Sequence, residues 1–120
     1  MKRRVLVAVD DLFFAARIRT TAEHLNIDVS FPRSLDALGE AAKDDAPALV
    51  IVDLHLQRYD PFAVARLFKA DEAWRETPLV GFFSHVQLEL QRRAADAGFD
   101  RILPRSAFTK RLPEILQGQF

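Results

Sequence analysis

Five short apolar runs alternate along the chain with segments whose apolar residues return every three or four positions. Residues 5–9, 27–31, 48–54 and 79–83 are built largely from Val, Ile, Leu and Phe, and 101–103 is a shorter run of the same kind. Successive side chains of a strand point to opposite faces, so an uninterrupted apolar run is what a strand buried on both faces requires. These five segments are predicted strands. Between them the period is helical: Phe14, Ile18, Thr21, Ala22 and Leu25 fall on one face of a first helix. Ser34 is placed to cap a second helix carrying Leu35, Leu38 and Ala42, and Asp60 followed by Pro61 starts a third that buries Val64, Leu67 and Phe68. Val86, Leu90, Ala94 and Ala97 form the stripe of a fourth helix, stopped by Gly98, and Phe108, Leu112, Ile115 and Leu116 mark one last helix.

Strand–helix alternation of this kind predicts an α/β fold with a parallel sheet covered on both faces. Proline lacks an N–H and is tolerated at strand ends and sheet edges rather than inside a central strand. Pro32 and Pro104 close the second and fifth runs, which places those two at the edges. Right-handed crossovers then give the doubly wound, flavodoxin-like order 2-1-3-4-5, with its switch point between the first and third strands.

Composition narrows the function classes. A chain of 120 residues, 49% of them hydrophobic, fits one domain spanning 1–120. Its 17 basic and 17 acidic residues cancel and form no long block of one sign, so non-specific nucleic-acid binding gains no support. The absence of cysteine excludes disulfides, thiolate metal sites and a cysteine nucleophile, and is compatible with a cytoplasmic location. The apolar stretch after the basic start is too short for a signal sequence, and no segment approaches the roughly 20 apolar residues of a membrane helix. Four glycines, Gly39, Gly81, Gly98 and Gly118, form no phosphate-cradling loop.

The candidate chemistry sits where two of the runs end. The first runs into Asp10 and Asp11 and the third into Asp53. In a parallel sheet, ligands bind outside the carboxyl ends of the strands beside the switch point, so these three carboxylates are expected at one edge. Like charges raise one another's pKa unless a cation or proton intervenes, and an oxygen-only donor set favours Mg²⁺ over zinc.

With these residues in place, the whole chain resembles the receiver domains of bacterial two-component response regulators, the CheY-like superfamily. Asp10 and Asp11 resemble the acidic pair that holds Mg²⁺, and Asp53 resembles the aspartate that accepts a phosphoryl group from a histidine kinase. Ser84 is similar to the family's phosphoryl-binding hydroxyl residue, and Gly98, Phe99 and Asp100 resemble the approach to its lysine. The resemblance implies a further metal ligand in the backbone carbonyl of His55. It also implies a histidine kinase or phosphotransfer protein as upstream partner, and a downstream protein docking on the fourth helix, fifth strand and fifth helix. Leu88 and Ala95, ringed by Arg92, Arg93, Lys110 and Arg111, lie in that region. A monomer or weak homodimer, with neither nucleic acid nor membrane as partner, is the expected state.

The departures from the family pattern are specific. Arg105 stands at the lysine position, followed by Ser106 where the family has proline. Arginine is a broad planar fork rather than a compact ammonium. A trans bond between Arg105 and Ser106 is expected, because a cis bond before a non-proline residue costs about 3 kcal/mol, and with it a guanidinium turned away from Asp53. Ile102 replaces the switch aromatic, His85 narrows the phosphoryl site, and the loop after Asp53 lacks the usual proline and glycine. Competing structural roles are helix capping for Asp10, Asp11 and Ser84, a solvated position for Arg105, and plain packing for Tyr59 and Trp74. His55 and His85 could also add nitrogen ligands for a transition metal.

Three functional classes follow. The leading one is a stand-alone receiver, phosphorylated on Asp53 with Mg²⁺ and signalling by protein contact, with no output domain after Phe120; a weak switch is expected of it. The second is a pseudo-receiver interaction module with little phosphorylation. The third, a metal-dependent phosphohydrolase, wants aspartate two residues after its nucleophile, where this chain has His55.

Overall fold

A computed structural model describes residues 2–120. Its sheet has five parallel strands, β1 (Arg4–Ala8), β2 (Asp28–Ser30), β3 (Leu49–Asp53), β4 (Leu79–Phe83) and β5 (Arg101–Pro104), in the order β2-β1-β3-β4-β5. This is the predicted doubly wound order, and strand ends move from the predicted ones by at most one residue. The helices are α1 (Leu12–His24), α2 (Leu35–Asp44), α3 (Pro61–Ala70), α4 (Leu88–Ala97), α5 (Arg105–Lys110) and α6 (Leu112–Leu116).

Alternation along the strands divides the core in two. Val5 and Val7 of β1, Leu49 and Ile51 of β3, and Val80 and Phe82 of β4 pack with Phe14 and Ile18 of α1 and with Phe108 and Ile115 of the C-terminal helices. Leu6, Ala8, Val50, Val52 and Leu79 face the other way, onto Leu38, Val64, Phe68 and Ala94 of α2, α3 and α4. Trp74 is buried against Phe68 at 5.2 Å between ring centroids, a packing residue rather than a platform. Local signals set the helix ends. Ser34 Oγ accepts the Ala37 N–H at 3.0 Å, Asp60 accepts that of Phe62 with Pro61 at the first helical position, and Gly98 ends α4 at φ 112°.

Two predicted helices change. The last one divides at Arg111: Pro113 has no N–H to continue the ladder and sits instead in the first turn of α6, which opens at Leu112. Val86 is 84% exposed and precedes α4, whose first turn has no side-chain cap, so the buried stripe runs through Leu90, Ala94 and Ala97 without it.

Candidate functional site

Asp53 is the last residue of β3, between β1 and β4 at the carboxyl edge of the sheet. Its neighbour Leu54 is buried and Leu54 N–H is bonded to the Phe82 carbonyl at 2.9 Å, which holds the start of the following loop against β4. One carboxylate oxygen of Asp53, Oδ1, accepts the His55 N–H at 2.9 Å; no other hydrogen bond reaches this carboxylate among the described residues. Burial pushes its pKa above the ordinary aspartate value of 3.8, against the lowering pull of the His55 amide and nearby cations. Because the folded-state pKa is raised, the associated stability is fully present below the ordinary value and is lost as pH rises through the folded one. An asparagine side chain here keeps the acceptor without the charge. Asp53→Asn should therefore raise Tm relative to wild type at about pH 7, with the gain shrinking as pH falls toward the ordinary aspartate value. Thermal melts of both proteins across that range check the sign; a gain that grows in acid would contradict it.

Asp10 lies two residues beyond β1 and is held by the loop after β3. Its Oδ2 accepts the Gln57 N–H at 2.8 Å and the Arg58 N–H at 3.3 Å, and the Arg58 guanidinium Nε stands 3.8 Å from Oδ1. That Oδ1 is buried with no hydrogen-bond partner. Asp11 is committed elsewhere. It caps α1, its Oδ1 accepting the N–H groups of Phe13 and Phe14 at 2.9 and 3.1 Å, and its Oδ2 receives Arg105 Nη2 at 3.1 Å. The Phe14 amide first, and Arg105 next, hold the Asp11 pKa below the usual value.

Arg105 opens α5, and its guanidinium lies 4.1 Å over the Phe14 ring while it reaches Asp11. It is thus neither a free surface residue nor hydrogen-bonded to Asp53. No cis peptide bond occurs among the described residues, so Arg105–Ser106 is trans as expected. Ser84 follows β4 directly, is exposed, and caps nothing: the N-cap position of α4 is Gln87. His55 and His85 meet edge to face with ring centroids 5.8 Å apart, and His55 Nε2 is buried without a partner. The His55 carbonyl accepts the Gln57 side-chain amide at 3.1 Å. Ile102 packs half-buried against the core on the α2, α3 and α4 side.

All the sequence-predicted residues thus share one edge, and their polar atoms are engaged differently from expectation. Among the described residues no three His, Asp or Glu side chains gather as a metal-holding group. Asp11 is taken by the helix start and Arg105, and the His55 carbonyl by Gln57. What stays without a hydrogen bond is Asp10 Oδ1, buried with Arg58 Nε 3.8 Å away, and one oxygen of Asp53. That pair fits a hydrated Mg²⁺, which keeps several waters and needs only one or two carboxylates. Sequence reasoning passes over Gln57 and Arg58, which engage Asp10 and the His55 carbonyl. Their only signal is a polar pair in the loop after Asp53, and loop composition does not reveal which way an amide points.

No protein-family model and no curated protein matches the sequence. Solved structures do match. The chain is similar to the chemotaxis response regulator CheY4 of Vibrio cholerae, at TM-score 0.82 and 16% identity with 100% of each chain covered. It is similar to the receiver domain of NtrX from Brucella abortus, at TM-score 0.79 and 22% identity over 96% of each chain. The phosphorylated cyanobacterial phytochrome response regulator RcpA aligns at TM-score 0.79 and 16% identity, covering 98% of this chain and 91% of its own. The chain has the fold of the CheY-like receiver domains.

Proposed function

We propose that this chain is a two-component receiver that takes a phosphoryl group on Asp53 and signals by protein contact. The observation that carries the reading is Asp53 itself: a half-buried carboxylate at the switch-point edge of a 2-1-3-4-5 sheet, with one oxygen unbonded and Asp10 beside it. Attack by that oxygen on a phosphorylated histidine of a kinase or phosphotransfer protein forms an acyl phosphate and breaks the P–N bond. A carboxylate is a weak nucleophile, so the protein's part is positioning and charge neutralisation. Asp10 and Asp53 would hold the Mg²⁺, which supplies charge for the equatorial phosphoryl oxygens when bound. Ser84 offers a hydroxyl to the same group, and Arg105 offers charge once it leaves Asp11. The exposed Leu88 and Arg92 of α4, with Lys110 of α5, supply a contact face for a downstream partner, whereas Arg93 lies over the Phe62 ring of α3.

A second reading, a pseudo-receiver with little phosphorylation, is favoured by one observation. Arg58 already pairs with Asp10, Arg105 with Asp11, and the Gln57 side-chain amide with the His55 carbonyl, three of the groups that the family resemblance assigns to the metal. Titrating Mg²⁺ and then beryllofluoride, followed by amide NMR, separates the two. The receiver reading expects shifts at Asp10, Asp53 and Gln57 with Mg²⁺, then at Ser84 and Arg105 with beryllofluoride. With Ile102 held in the core, movement across α4 should be small; large shifts there would contradict the weak switch. No response to either addition would leave the pseudo-receiver.

A further inference from the structure

Next to Asp10, on the side of α1 and β2, lies a hollow of about 220 Å³. We propose that it binds a small aromatic acid, a single ring carrying a phosphate or carboxylate. Three arginines line it from three separate segments: Arg19 on α1, Arg33 after β2 and Arg58 after β3. In a chain whose charges cancel overall, this hollow collects three arginines against one carboxylate, Asp10. Asp10 is already countered by the Gln57 and Arg58 amides and by the Arg58 side chain. Arg19 and Arg33 have no carboxylate partner among the described residues, whose ion pairs use Arg58, Arg66, Lys69 and Arg105.

The remaining walls suit a ring. Phe31 lies under the Arg19 guanidinium at 4.7 Å, and Tyr59 is fixed by its hydroxyl donating to the Pro32 carbonyl at 2.9 Å. Burial first, and Asp10 second, push the Tyr59 pKa up to about 12, so the wall stays an uncharged phenol. Leu12 stands on the rim, 80% exposed, where a ligand's apolar edge would cover it. Planar guanidinium forks match the two oxygens of a carboxylate or phosphate and also stack on rings. The hollow is smaller than the roughly 300–1,000 Å³ of drug-sized pockets, which limits the ligand to about one ring and one acid group. Because Arg58 borders both this hollow and Asp10, an anion drawing on Arg58 loosens its hold on Asp10. Binding itself does not depend on phosphoryl transfer, so it can be tested apart from that reading.

The test is amide NMR on the full chain with four probes: phenyl phosphate, inorganic phosphate, phenol, and a short phosphotyrosine peptide. Saturable shifts with phenyl phosphate confined to Leu12–Ala15, Phe31–Arg33 and Arg58–Tyr59 are expected, with phenol and inorganic phosphate each much weaker. Arg19→Ala and Arg33→Ala, both exposed changes, should each weaken phenyl phosphate binding by at least about fivefold. A peptide binding more tightly than phenyl phosphate supports the same chemistry presented by a protein partner, and the reverse supports a free acid. Inorganic phosphate binding as tightly as phenyl phosphate, shifts located elsewhere, or unchanged affinity in both variants would overturn the proposal.

Discussion

Asp53→Asn should abolish labelling by acetyl phosphate, while the wild-type chain with Mg²⁺ gains one phosphoryl mass. Three carboxylates share this edge, and only one is free to attack. Both oxygens of Asp11 are occupied, by the first amides of α1 and by Arg105, and Asp10 Oδ2 accepts two loop amides while Oδ1 is buried. Asp53 alone combines an unbonded oxygen with a position at the strand end facing the crevice. Asparagine preserves the shape and the acceptor for the His55 N–H and removes the nucleophile, so the loss reports chemistry rather than folding. The companion variant Asp11→Asn keeps a capping residue and should still be labelled, because Asp11 carries no bond to phosphorus in this scheme. Intact mass spectrometry of the three proteins decides: an adduct persisting at the wild-type level in the Asp53→Asn protein would show that another group accepts the phosphoryl. A wild type that never labels would favour the pseudo-receiver.

Phe82→Ala should cost about 3–5 kcal/mol of stability. Phe82 is fully buried near the end of β4, stacked on Phe108 with ring centroids 4.6 Å apart and tilted against Phe14 at 5.2 Å. Truncation loses the transfer energy of the ring and leaves a cavity, and each aromatic pair adds roughly 0.5–1.5 kcal/mol beyond area. The β4 backbone around Phe82 is fixed by ladders to β3 and β5, so the hole has little room to collapse. Against total stabilities of about 5–15 kcal/mol, this single change removes a large share. Urea unfolding checks it, the midpoint falling with the m-value unchanged. A cost under about 1 kcal/mol would mean that the core repacks around the gap, contrary to the density expected of protein interiors. The same ring supports the site, since Phe14 packs on Phe82 and carries the Arg105 guanidinium. Phe82→Ala should therefore also loosen the Arg105–Asp11 pair, visible as a shift of the Arg105 side-chain NMR signal.

How far the sequence determined this protein differs from element to element. Five parallel strands in the order 2-1-3-4-5, the helix starts at Ser34 and Asp60 and the stop at Gly98 follow from local rules: alternation of side chains, capping oxygens, and where proline and glycine fit. The meeting of Asp10, Asp11 and Asp53 at one edge follows too, because strand order and direction fix which ends are neighbours. Val86 misleads about the start of α4, because an apolar residue at helical spacing looks the same whether the chain has already entered the helix or not. The break at Arg111 is not legible although Pro113 is in plain view, since proline is as much at home in a first helical turn as it is disruptive later. What each carboxylate binds belonged to the tertiary structure alone. Asp11 is a cap with Arg105 as partner, and Asp10 is gripped by the amides of residues 57 and 58, 47 and 48 positions away in the chain. Local rules place a side chain on an edge or a face; its partner is set by side chains and loops brought together only once the sheet has closed, where small differences in reach and direction decide which hydrogen bond is made.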